Sequence, residues 1–103
     1  MLSVLNKLCE ITNKSLGTLG SYRRKLKYID GTLIYYGTLI FSETNTIEFE
    51  TPFIDKIISI STIVSANEGN NITVSCSKLE KNSVAFVSNN KPTFYYTIIG
   101  RWK

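Results

Sequence analysis

From Leu26 to the carboxy end, the chain runs as short stretches rich in β-branched and aromatic residues, broken by turn formers roughly every eight to twelve residues. Asp30-Gly31 is a tight-turn dipeptide, and residues 33–41 (LIYYGTLIF) follow it as a strand apolar on both faces. Further strands are expected over residues 46–49 and 56–65. In the second, Ile58, Ile60, Thr62 and Val64 form one face while Ser59 and Ser61 mark the other. Residues 66–71 carry several turn formers, and residues 72–77 alternate so that Cys76 points inward with Ile72 and Val74. Residues 84–87 and 93–99 complete the series, separated by a turn at 89–92. The pattern predicts a mainly β chain folded as an antiparallel β-sandwich.

The front of the chain reads differently. Leu2, Leu5, Cys9, Thr12, Leu16 and Leu19 fall at alternating spacings of three and four, a heptad seam that predicts a short amino-terminal α-helix over residues 3–16, ended by Gly17 and Gly20. A lone helix of about 14 residues is marginal in water, so it must associate with copies of itself, with a partner, or with the body of the chain. Two regions follow: residues 1–25, a helix and basic linker for trimerisation or docking, and residues 26–103, the sandwich.

With 103 residues the chain holds one core. Its strands at 33–41 and 94–99 are apolar on both faces, more than one thin sandwich needs to bury, and this surplus points to subunit contacts. No stretch approaches the roughly 20 apolar residues of a membrane-spanning helix, and residues 1–12 lack a signal peptide's apolar centre, so the chain is expected to be soluble and made in a cytosol.

Histidine is absent, which removes the commonest general base, the usual nucleophile triads and most transition-metal sites, so catalysis is not expected. Cys9 and Cys76 form no C-x-x-C pair, and no metal or other cofactor is expected. Glu48 and Glu50 share a strand face opposite Phe49, as a solvated face does. No phosphate-binding glycine loop is present. Residues 1–29 hold six basic side chains against Glu10 alone, while the remainder carries a net −1. The basic and aromatic segment from Arg23 to Lys27 resembles a single-strand nucleic-acid binder in composition, but the nearly neutral body offers no continuation, and a linker is the favoured role.

Three motifs then carry a resemblance. Residues 31–37 read Gly-Thr-Leu-Ile-Tyr-Tyr-Gly, Phe49 and Phe53 stand four apart around Pro52, and residues 94–102 form an aromatic run closing on Ile99-Gly100-Arg101-Trp102. In order and spacing these are similar to the carboxy-terminal tip domain of bacteriophage tail fibres, the gp53-like and H-type-lectin-like group, over roughly residues 26–102. In that group the proline directly follows the first phenylalanine, where this chain has Glu50. The resemblance implies a homotrimeric β-sandwich at a fibre tip, localised to the virion and often in contact with host surface glycans. With only about 25 residues ahead of the domain there is no shaft, so the chain is expected to clip onto another virion protein of capsid or tail through its front segment. The alternative is a glycan-binding lectin module acting as a receptor-binding protein. Tyr35, Tyr95 and Trp102 would be its stacking platforms, with Arg101 or the loop at 67–71 supplying polar contacts.

Overall fold

A computed structural model describes residues 8–64, 72–90 and 92–103. The described residues form eight strands: β1 (Cys9–Ser15), β2 (Tyr22–Tyr28), β3 (Thr32–Ile40), β4 (Thr46–Glu48), β5 (Ser59–Val64), β6 (Val74–Leu79), β7 (Ser83–Ser88) and β8 (Thr93–Arg101). All pairings are antiparallel, in a five-stranded sheet ordered β1-β2-β3-β8-β5 and a three-stranded sheet ordered β4-β7-β6.

The centre is the β3–β8 pair, in register from Thr32 opposite Arg101 to Ile40 opposite Thr93. Strict alternation along both strands puts Leu33, Tyr35 and Leu39 beside Phe94, Tyr96 and Ile98 on one face, all of them buried. Ile47 of β4 and Val84 and Phe86 of β7 join the same core from the other sheet, so the two sheets share one hydrophobic interior. Phe86 meets Phe94 edge to face at 5.1 Å, which ties β7 to β8. Phe49 and Phe53 close one end, with Phe49 stacked on Tyr35 at 4.8 Å and lying edge-on to Phe53 at 5.0 Å. Burying each such ring contributes about 1.5–3 kcal/mol.

The Asp30-Gly31 turn forms as the sequence predicts. Gly31 has φ +105°, which its missing side chain allows, and its N–H donates to the Tyr28 carbonyl at 3.1 Å. The Asp30 carboxylate accepts the Thr32 N–H at 2.9 Å, and that bond holds its pKa below the ordinary carboxyl value.

The front of the chain departs from expectation. Cys9–Ser15 is a strand, not part of a helix, while Leu2 and Leu5 lie outside the described residues. The spacing of three and four that suggested a helix coexists here with a period of two. Ile11 and Thr12 are β-branched, and Asn13 and Ser15 are weak helix formers. The edge of β2 offers this segment seven register pairs from Cys9 opposite Tyr28 to Ser15 opposite Tyr22, a backbone ladder that an unsupported helix lacks. The basic stretch is likewise the strand β2 and not a linker, so the boundary drawn after residue 25 falls inside a strand of the main sheet. In β6 Cys76 stands opposite the buried Phe86 on the face of Val74, but it is exposed and not buried, because β6 is the outer strand of its sheet; a register shift follows between Cys76 and Lys78.

Candidate functional site

The ladder registers fix what the five-stranded sheet presents on the face turned away from the core. One row runs Ile11, Leu26, Ile34, Ile99, Ser59, and another runs Ser15, Tyr22, Thr38, Tyr95, Ile63. Between them lies Asn13, Arg24, Tyr36, Thr97, Ser61. Ile63 is 69% exposed, Ile11 58%, Tyr95 56% and Ile99 43%, an unusual share of large apolar side chains for one open sheet face. Arg24 is the charged residue of the middle row, and it is already engaged. Its Nε donates to Asn13 Oδ1 at 2.6 Å, its Nη1 donates to the Tyr36 hydroxyl at 2.9 Å, and its guanidinium lies over the Tyr36 ring. The face is therefore mainly apolar and aromatic, with the donors of its central guanidinium engaged by neutral partners that leave its positive charge in place.

Among the described residues expected to form an attachment seam, Cys9 and Thr12 do not share a face. Cys9 lies opposite Tyr28 on the outer side, whereas Thr12 turns inward opposite Lys25 and its hydroxyl is buried without a partner. Leu16 packs partly against the core, and Leu19 is exposed, with its N–H donating to Glu43 Oε2 at 3.0 Å.

The four residues expected to contact a ligand are also separated. Tyr35 is completely buried among Phe49 and Phe53, so no sugar face reaches it. Tyr95 stands on the outer face opposite Thr38 and Ile63. Arg101 and Trp102 lie at the far end of β8, where they brace the turn. Arg101 Nη2 donates to the Asp30 carbonyl at 2.5 Å, and the Trp102 backbone N–H donates to the Gly31 carbonyl at 2.9 Å. The Trp102 indole N–H donates to the Tyr28 carbonyl at 2.7 Å, and the Lys27 and Lys103 ammonium groups stand 4.4 and 4.9 Å from the ring centroid. Two cations thus occupy the ring that a sugar would stack on. The loop at 67–71 lies outside the described residues.

One arrangement was not legible in the sequence. Arg23 and Lys25 point from β2 toward the interior, and their side chains are only 2% and 5% exposed. Arg23 Nη1 donates to the Glu48 carbonyl at 2.6 Å and Nη2 to Glu50 Oε2 at 3.0 Å, while the guanidinium lies 5.3 Å from the Tyr35 ring centroid. Lys25 Nζ reaches Thr51 Oγ1 at 3.2 Å and pairs with Glu10 at 3.4 Å. Glu50 therefore neutralises a buried guanidinium as well as facing solvent, beyond the solvated role expected of it. Half of the basic segment is committed to holding the two sheets together and is withdrawn from any surface track. The period-two placement of Arg23 and Lys25 was the available signal, masked by the rule that charge faces water.

Comparison with protein-family models, with curated proteins and with solved structures returns no match to this chain.

Proposed function

We propose that the chain is a structural subunit of a bacteriophage virion, a β-sandwich of the fibre-tip type that assembles as a homotrimer through the outer face of its five-stranded sheet. The observation that carries this reading is the open face bearing Ile11, Ile63, Tyr95 and Ile99. Five strands at about 4.8 Å spacing and about seven residues long give a footprint of roughly 500 Å². Three such faces turned toward a common three-fold axis withdraw about 1,500 Å² in all. The occupant is a second copy of this chain. Asn13 and Tyr36 engage the Arg24 donors but leave its positive charge, and Arg101 lies at one end of the same face, so the apolar rows through Ile11, Ile99, Tyr95 and Ile63 are the part that packs against a neighbouring copy.

The motifs at 31–37, 49–53 and 94–102 supply the virion context by resemblance. In that setting the chain attaches to a capsid or tail protein and reaches toward the host surface. With Cys9–Ser15 committed to the sheet, a coiled coil across residues 9–15 has no part in this assembly.

The test is solution mass by light scattering during size exclusion, on the full chain and on Ile99→Asp and Ile63→Asp. Both positions are solvent-facing, so the variants keep the native circular dichroism. The expected result is three times the chain mass for the parent and a shift to monomer in the variants. A monomeric parent chain at micromolar concentration would remove the reading.

A further inference from the structure

Four of the described strands form the edges of the two sheets, and three of them are protected against a further strand. β4 is only three residues long, β1 carries Glu10 and Lys14, and β6 carries Lys78 beside a register shift. Short length, charge and a break in register each discourage another strand from pairing. β5 has none of these. Its six residues, SISTIV, hold no charge, proline or glycine, and its register with β8 runs unbroken from Ser59 opposite Ile99 to Val64 opposite Phe94. Its isoleucines, threonine and valine favour the extended backbone.

This edge is also unfinished. In an antiparallel pair, alternate residues direct their N–H and C=O groups to the neighbour and the others direct them away. With β8 as the one neighbour of β5, the second set has no partner among the described residues. The side chains show a matching shortage. Ile58, Ile60 and Val64 pack on the core yet stay partly exposed, so the hydrophobic interior is open along this edge. Ile57, at the head of the strand, is 83% exposed.

An added strand answers both shortages, and β5 dictates its pattern. Residues directly opposite each other on neighbouring strands share a face. Positions beside Ile60 and Val64 therefore take apolar side chains that close the core, and positions beside Ser59 and Ser61 take small polar ones that face solvent. The β5 strand of a second copy would also supply a backbone partner, but such two-fold pairing would carry the assembly beyond the trimer inferred above. On that reading of the outer face, the occupant is a different chain.

We propose that β5 takes up an extended, uncharged segment of another protein as an added edge strand of the main sheet, with branched apolar residues at the alternate positions that face the core. The segment binds through its backbone, and its alternation sets which segments fit.

The probe is a fluorescent peptide that alternates threonine and valine, with a lysine at each end for solubility, titrated into the full chain by anisotropy. Hydrogen exchange followed by NMR locates it. The peptide should bind, and alternate β5 amides, the set not bonded to β8, should gain protection. N-methylation of one alternate set of peptide amides should weaken binding at least about tenfold by removing ladder hydrogen bonds, while methylation of the other set leaves it little changed. Thr62→Lys, which turns a charge onto the inner face of β5, should weaken binding by a similar factor, and the methylated peptides carry the test if that variant does not fold. Ile99→Asp should bind the peptide as the parent does whatever its mass, which separates this edge from the assembly face. Absence of binding, protection gained at β1 in place of β5, or equal tolerance of methylation in both sets would overturn the proposal. So would β5 amides already protected in the free chain and released on dilution, which would make the occupant a second copy.

Discussion

The hydroxyl of Tyr35 is bonded twice to one residue: it donates to the Thr51 carbonyl at 2.7 Å and accepts the Thr51 N–H at 3.0 Å. Tyr35 sits on the central strand β3, and Thr51 lies in the irregular segment between Phe49 and Phe53 that closes one end of the core. A single phenol therefore takes the place of a backbone partner for a segment that belongs to neither sheet.

Replacing Tyr35 with Phe keeps the ring and its stacking on Phe49 but leaves both Thr51 backbone groups without this partner. The expected loss is about 1–3 kcal/mol of unfolding free energy. Denaturant titration of the parent and the variant checks it, and a change within experimental error would show that water replaces the hydroxyl at no cost.

Burial pushes the Tyr35 hydroxyl up to about 12 from its ordinary value near 10, and burial raises that of Tyr96 as well. In the unfolded chain both phenols ionise near pH 10, whereas in the folded chain they hold their protons to higher pH. The folded state thus binds more protons in that window, and stability falls as pH rises. The contribution is complete below pH 10 and is lost as pH climbs toward about 12. Absorbance at the phenolate wavelength should show two of the six tyrosines ionising only together with unfolding. Six tyrosines titrating together near pH 10 in a folded chain would contradict the burial.

Gly100 lets β8 run directly beneath the Phe53 ring. A Cβ at that position would come within 2.5 Å of Phe53 Cδ1, and the ring has little freedom to yield. Gly100→Val should destabilise by about 1–3 kcal/mol through overpacking. Combining it with Phe53→Leu should recover part of the loss, because the clash is with that ring. Denaturant titration of the two single variants and the double variant measures the coupling, and strict additivity would place the strain elsewhere.

The strands from Leu33 onward were legible because each carries its period of two and its bounding turns within a few residues, as β5 shows. Ile60 and Val64 pack on the core, as the alternation predicts, while Ser59 and Ser61 face out. Cys76 shows where that logic stops: it stands opposite the buried Phe86 on the face it shares with Val74, as the alternation predicts, yet it is exposed because β6 is the outer strand of its sheet.

The composition of the strands, their turns and their inward faces were determined by the sequence alone, because the forces that set them act between near neighbours and between apolar side chains and water. Tertiary structure decided the rest. Cys9–Ser15 satisfies a helical spacing and a strand alternation at once, and only the free edge of β2 selects the strand. Arg23 and Lys25 are charges that sequence rules send to the surface, yet they lie inside because Glu50, Glu10, Thr51 and the Glu48 carbonyl meet them there. Those partners are remote in the chain or supplied by the ladder between β1 and β2, and the energy of a buried charge depends on which partners the fold delivers to it.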